Sequence, residues 1–281
     1  LSTVWAKDRL AQLRKDAARQ ICLLHPNVIA APQPDLHGTS PLPVLAPVAA
    51  FRLSQAMLLA LESSDRLCAA CLIDETTGSI AASKTIDIGR GHAEKMMGLI
   101  GEVLAAAKID YAALTGLAVC VGPGSFTGIR VGLSTVIGLS IALNLPVRGV
   151  TSLQALALAA VGATRGQTIL ALVDAHRGDV YAQMFASDGA PLDAARQISL
   201  EQAGKLAGAA NIVCAGSGVA VLNAAHPDLV IQSIEGIELP DVDCVARAAL
   251  SQSLTVAAKP LYLRRPDAKP QEAYTIARAL R

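Results

Sequence analysis

The seven residues Gly122-Pro123-Gly124-Ser125-Phe126-Thr127-Gly128 are the stretch whose types and spacing most suggest chemistry. An apolar run, Leu117 to Val121, enters them and a longer one, Ile129 to Leu145, leaves them, so the stretch reads as strand, glycine turn, helix. Three glycines and a proline suit a chain that reverses sharply and brings its backbone close to something. Ser125 and Thr127 can each cap the helix that follows, and the unpaired N–H groups of a first helical turn favour an anion. That makes Gly122, Gly124, Ser125, Thr127 and Gly128 candidate phosphate contacts. Neither common phosphate fingerprint is complete, however. The stretch has no lysine for a P-loop, and Thr127 stands where a dinucleotide fingerprint would place its third glycine. A tight turn that only packs a helix on a sheet is the alternative reading.

Other reactive side chains are scattered. His176 has Asp174 and Asp179 beside it, but all three fall in one predicted hairpin turn, where polar residues are usually solvated. His92 opens a predicted helix and has Met96 four residues on, so no second histidine shares its face; it reads as a helix-start residue at the surface or an interface. Cys68 and Cys71 match C-x-x-C, yet residues three apart in a strand point to opposite faces, so they should neither chelate nor pair readily. The six cysteines sit mostly in apolar strand-like runs, as reduced thiols of a cytoplasmic protein would. Lys plus Arg number 24 against 23 Asp plus Glu, a formal charge of +1 that offers no footprint for gripping nucleic acid unaided. Arg130 and Pro146 bracket the longest apolar run, so no membrane-spanning helix is expected.

The elements that must position these groups follow in order. Residues 1–56 carry six of the chain's 14 prolines and read as an extension with no fixed structure. From 57 the pattern becomes regular. Leu58 to Glu62, Leu67 to Ile73 and Ser79 to Ile86 read as an antiparallel meander. Gly91 to Lys108 has apolar residues at helical spacing, and strand 117–121, helix 128–144 and strand 146–150 give a β-α-β crossover. A helix nearly apolar all round must be covered on two sides, by its sheet and by something else. The second half opens like the first, with a hairpin at 168–186, then strand 212–215, a glycine turn, and a helix from about 241 to 258. Two halves built alike suggest a duplicated α/β fold, with boundaries at 57–160 and 161–281. With 52% hydrophobic but only 3% aromatic residues, its core rests on Ala, Val, Leu and Ile.

Leu59-Ala60-Leu61-Glu62-Ser63-Ser64, Gly91-His92-Ala93-Glu94, Val121 to Gly132, Val150-Thr151-Ser152-Leu153, Asp174 to Tyr181 and Pro260-Leu261-Tyr262-Leu263-Arg264 together resemble the TsaB (YeaZ) family. The resemblance runs from about Met57 to the C-terminus. It implies two related actin-like, Hsp70-like (ASKHA) domains with mixed sheets flanked by helices. It further implies a subunit that binds TsaD, with TsaE, in making threonylcarbamoyladenosine in tRNA, meeting the tRNA only through the complex. Met96, Met97, Ile100, Val103, Leu104, Leu133 and Ile137 are the expected contacts, either with TsaD or in a homodimer; their other reading is intrachain core. Glu62 stands where the fold's first strand often offers an aspartate toward phosphate and metal. The catalytic relative's H-x-x-x-H metal site falls by eye on Thr151 and Ala155, neither of which can replace an imidazole ligand. No catalytic or metal-ligating set is therefore expected, and ATP or ADP would bind, if anywhere, at the joint with TsaD. The rival reading is an enzyme of the same fold, a nucleotide hydrolase or a glycoprotease-like peptidase.

Overall fold

The computed structural model describes residues 56–252 and 258–264. The extension expected over 1–56 falls outside the described residues but for Ala56, as does the end of the chain beyond Arg264. Nine strands and six α-helices run in the order β1 (Met57–Glu62), β2 (Leu67–Asp74), β3 (Ile80–Asp87), α1 (His92–Ala106), β4 (Leu114–Cys120), α2 (Phe126–Leu143), β5 (Val147–Val150), α3 (Ser152–Ala160), β6 (Thr168–Asp174), β7 (Asp179–Phe185), β8 (Arg196–Ser199), α4 (Leu200–Ala207), β9 (Ile212–Ala215), α5 (Gly218–Ala225) and α6 (Val242–Leu250) among the described residues.

Two sheets repeat one plan. The first has the order β3-β2-β1-β4-β5 and the second β8-β7-β6-β9. In each, the opening strands form an antiparallel meander and a later strand joins the first in parallel: β4 on β1, β9 on β6. The duplication read from the two hairpins is thus present in strand order and direction. The sequence reading passed over β8 and α4. That strand has only four residues, Arg-Gln-Ile-Ser, of which Ile198 alone is buried, so its alternation is too short to register. The helix behind it opens on a capping box between Ser199 and Gln202. The last helix also ends earlier than expected, at Leu250, and residues 253–257 lie outside the description.

Burial explains why β1 is apolar without alternation. Leu59 and Leu61 face a core under α1 and α2, while Leu58 and Ala60 face another with α6. A strand covered on both faces reads as a continuous hydrophobic run. Leu153, Leu156, Ala157 and Ala160 of α3 pack on one face of the second sheet, and α4 and α5 cover the other. With α3 against α6 between the sheets, the layers run helix, sheet, helix, sheet, helix. A helix from the first half thus packs on the second sheet, and one from the second half packs on the first. This two-lobed arrangement is the actin-like plan.

Cys68 and Cys71 take the opposite faces their spacing requires, Cys68 in the core beneath α1 and Cys71 in the core beneath α6. Both thiols are free and fully buried. Burial pushes Cys68 up to about 11 and Cys214 up to about 12, and raises Cys71 and Cys120 as well. In the folded chain these four should react with a disulfide reagent such as DTNB only as fast as the protein opens, and all at once in denaturant. Fast labelling of Cys68 or Cys71 in the native protein would contradict this packing.

Candidate functional site

The glycine turn sits between the end of β4 and the start of α2, as its sequence requires. Gly122 takes φ +91°, a conformation that side chains other than glycine rarely adopt, and the Gly122–Pro123 peptide is cis. Ser125 is the N-cap of α2, its Oγ accepting from the Gly128 N–H at 3.3 Å. Thr127 lies within the first turn instead.

What fills the turn is the chain itself. A Cβ on Gly124 would lie 2.2 Å from the Ser64 carbonyl oxygen, and one on Gly128 would lie 2.0 Å from the Ser63 carbonyl oxygen. At Gly132 it would come within 2.6 Å of Ser63 Oγ. Three glycines at four-residue spacing therefore make a groove along α2, and the β1–β2 turn lies in it. The Ser125 N–H donates to the Ser64 carbonyl at 2.6 Å, and Ser63 Oγ donates to the Gly128 carbonyl at 2.9 Å. From the other side, Ser152 Oγ donates to the Pro123 carbonyl at 2.5 Å and its N–H donates to the Gly122 carbonyl at 2.9 Å. The space that the glycines open is taken by Ser63 and Ser64, and at least two of the helix-start amides, those of Ser125 and Gly128, have intrachain partners.

Glu62 ends β1 beneath this turn and is fully buried. Its Oε1 accepts from the Ser64 N–H at 2.5 Å and from Ser64 Oγ at 2.6 Å, whereas Oε2 has no hydrogen-bond partner. Cys120 Sγ lies 3.4 Å from Ser64 Oγ. Burial pushes the Glu62 carboxyl above its ordinary value, against the opposing effects of Cys120 and Ser64. The carboxyl is enclosed by its own loop, both of its hydrogen bonds going to Ser64.

The other candidate residues are placed as structural ties. His92 is buried, its Nε2 3.1 Å from the Leu67 carbonyl, so it pins the start of α1 to β2 and does not stand at the surface as expected. Thr151 Oγ1 caps α3, accepting from the Gln154 N–H at 3.0 Å, and Ala155 lies in the core. Asp174 accepts from the His176 N–H, and Asp179 accepts from Gln197 Nε2 and Arg264. Among the described residues no three His, Cys, Asp or Glu side chains converge as a metal site would need.

The seven hydrophobic residues expected at an interface separate. Met96, Ile100, Val103, Leu104 and Leu133 belong to the core between the two helices and the first sheet, which corrects their assignment to an outer surface. Only Met97 and Ile137 of the seven are exposed. Apolarity at helical spacing marks which residues group together but not which side of the helix meets the sheet; α2 is apolar on both. Its inner side buries Gly128, Ile129, Gly132, Leu133, Val136 and Leu139. Its outer side exposes Phe126, Ile137 and Ile141 by about half each, with Arg130, Ser134 and Gly138 along the same stripe. Beside it α1 exposes Met97, and a shallow groove of about 390 Å³ runs between Ala93 of α1 and Thr127, Arg130 and Val131 of α2. By length and composition α2 is the one described helix that could cross a membrane; here a third of it is buried against β4, β1 and α1.

The sequence profile described as "TsaD: tRNA N6-adenosine threonylcarbamoyltransferase" matches residues 84–264. A Haemophilus influenzae protein named tRNA threonylcarbamoyladenosine biosynthesis protein TsaB is 33% identical over 127 residues, 44% of this chain and 51% of its own. The solved structure of YeaZ from Pseudomonas aeruginosa is 25% identical, with a TM-score of 0.61 over 69% of this chain and 90% of that one. The chain belongs to the TsaD family, in its TsaB (YeaZ) group. An uncharacterized protein of Mycobacterium tuberculosis, 34% identical over 196 residues, covers 66% of this chain and 81% of itself. The glycine groove and the loop it holds are a feature of assembly within the lobe. In the sequence Ser63 and Ser64 stand out only as the end of the motif Leu59 to Ser64; the four-residue spacing of Gly124, Gly128 and Gly132 is the signal that something packs closely against the turn and the helix it opens.

Adding a methyl group tests the groove directly. Gly128→Ala should destabilise the chain by about 1–3 kcal/mol, because the Ser63 carbonyl must move, whereas Gly138→Ala, with open space at its Cβ, should stabilise it by about 0.5–1 kcal/mol. Urea denaturation of both variants separates the cases, and equal effects would refute the groove. Glu62 gives a pH test. Because its folded value lies above the unfolded 4.5, its contribution is full below that pH and is lost as pH rises through the folded value. Glu62→Gln should therefore gain in melting temperature relative to the parent as pH is raised, and a constant difference would show that the carboxyl does not change charge state there.

Proposed function

We propose that this chain acts in tRNA threonylcarbamoyladenosine biosynthesis as a partner subunit: it docks a TsaD-type protein through the outward side of α1 and α2, and the partner supplies the catalytic groups. Family membership supports the pathway, and the half-exposed apolar stripe of α2, with Met97 beside it, is the observation that supports docking. Three large apolar side chains on one helix face, together with small Ser134 and Gly138, suit a second helix packed at close range. TsaE would join through that assembly, and the nearly neutral chain would meet tRNA through its partners. ATP or ADP would then sit at the joint with TsaD, because the groove of this chain's own glycine turn holds Ser63 and Ser64. A second copy of this chain is the alternative occupant of the same face in the partner's absence.

The enzyme reading has less support. A hydrolase of nucleotides would need Glu62 beside a metal-bound phosphate, and that carboxyl is buried against Ser64. A peptidase would need a metal set or an activated nucleophile, whereas the Cys120 thiol is pushed up by burial.

Sedimentation of the full chain, alone and mixed with TsaD from the same source, tests the docking face. Ile137→Asp and Met97→Lys should each weaken the heterodimer at least roughly tenfold while leaving the fold intact, since neither side chain is in the core. A heterodimer that survives both charges would place the partner elsewhere, and loss of self-association alone would assign the face to a homodimer.

A further inference from the structure

Residues 258–264 run from one lobe to the other. Near their start, Ala258 packs over β5, its Cβ 3.3 Å from where a Cβ on Gly149 would stand. The Leu261 N–H then donates to the carbonyl of Val121 at 2.8 Å, directly before the glycine turn, and its side chain packs on the core of the first lobe. Tyr262 stacks on Phe126 at the first turn of α2, with ring centroids 5.2 Å apart and planes tilted by 37°. Arg130 lies over the same phenyl ring at 3.7 Å and donates from Nε to Tyr262 Oη at 3.3 Å. Two residues further on, the chain reaches the second lobe. There Arg264 donates to the carbonyl of Ala175 at 2.8 Å, to that of His176 at 3.3 Å, and to Asp179 Oδ2 at 3.1 Å.

The hairpin that receives Arg264 needs such a hold. His176, Arg177 and Gly178 have φ of 59°, 58° and 85°, three consecutive left-handed residues of which two are not glycine. Such a backbone persists only where its surroundings over-determine it. Asp174 holds it from within, accepting from the His176 N–H at 2.7 Å, and its own N–H donates to Ser217 Oγ at 3.1 Å. Arg264 holds it from outside the lobe, with a planar fork that can take carbonyls and a carboxylate together. Its side chain is three-quarters buried, so water competes weakly for those bonds.

We propose that residues 258–264 are a clasp between the lobes: Tyr262 grips α2 and Arg264 grips the β6–β7 hairpin, so that the separation of the lobes and the first turn of α2 are set together. A clasp differs from a local cap in one respect. Its ends are thermodynamically coupled, so loosening either must loosen the other by the same free energy. Phe126 and Arg130 also border the outer face of α2, so the clasp links that face to the second lobe; this last link rests on the docking reading, whereas the clasp itself does not.

Hydrogen exchange on the full chain, read by mass spectrometry with no partner present, tests it. Arg264→Ala should speed exchange roughly tenfold or more across the hairpin at 174–179 and also at 121–130 and Leu261, the shift expected for losing a charge-assisted hydrogen bond. Tyr262→Ala should do the reverse, exposing 174–179 from the far end. Arg264→Lys and Tyr262→Phe keep charge and stacking respectively and serve if an alanine variant does not fold; each should give the same pattern with smaller amplitude. Changes confined to the mutated end in both series would overturn the clasp and leave Arg264 a cap of its hairpin. Because no partner enters the experiment, failure of the docking reading would leave this result standing.

Discussion

The close approach of the β1–β2 turn to helix α2 is the contact on which the first lobe depends. Two backbone carbonyls, of Ser63 and Ser64, sit where side chains on Gly128 and Gly124 would otherwise be. Because backbone cannot retreat as a flexible side chain can, Gly124 and Gly128 are each fixed by a neighbour and not by their own conformation; within this turn it is Gly122 that needs glycine for its φ. The contact sets the depth of α2 against the sheet, and so decides which side of an all-apolar helix is core and which is left outside. Ser152 completes the arrangement by holding the turn from α3.

Polar groups under that contact are held tightly and are few. Glu62 has both its hydrogen bonds to Ser64 and one oxygen without a partner, in a position that burial makes unfavourable for a charge. Its two hydrogen bonds make this carboxyl an anchor for the loop. The outer stripe of α2, with Met97 of α1 beside it, stays exposed.

Much of the fold was legible beforehand because its signals are local. The two hairpins, the crossover through α2, and the duplication follow from apolar runs and turn residues within a few positions of one another, and β9 was placed to the residue. The opposite faces of Cys68 and Cys71 follow from the two-residue period of a strand. Less was legible at the site. Leu133 looks on paper like Ile137, because α2 is apolar on both of its sides, and Met96 looks like its neighbour Met97; His92 read as a residue at the surface or an interface until its carbonyl partner on β2 was in place.

By itself the sequence determined that this is a duplicated α/β chain, with a glycine turn before an apolar helix and a set of motifs that place it in its family. Those features are written in periodicity and in residues whose backbone freedom is their own. Tertiary structure alone decided that the glycines receive the Ser63–Ser64 backbone, that five of seven apolar candidates face inward, and that Tyr262 and Arg264 reach the two lobes. The first and the last of these depend on contacts between residues about 60 to 140 positions apart, and no local propensity carries that distance.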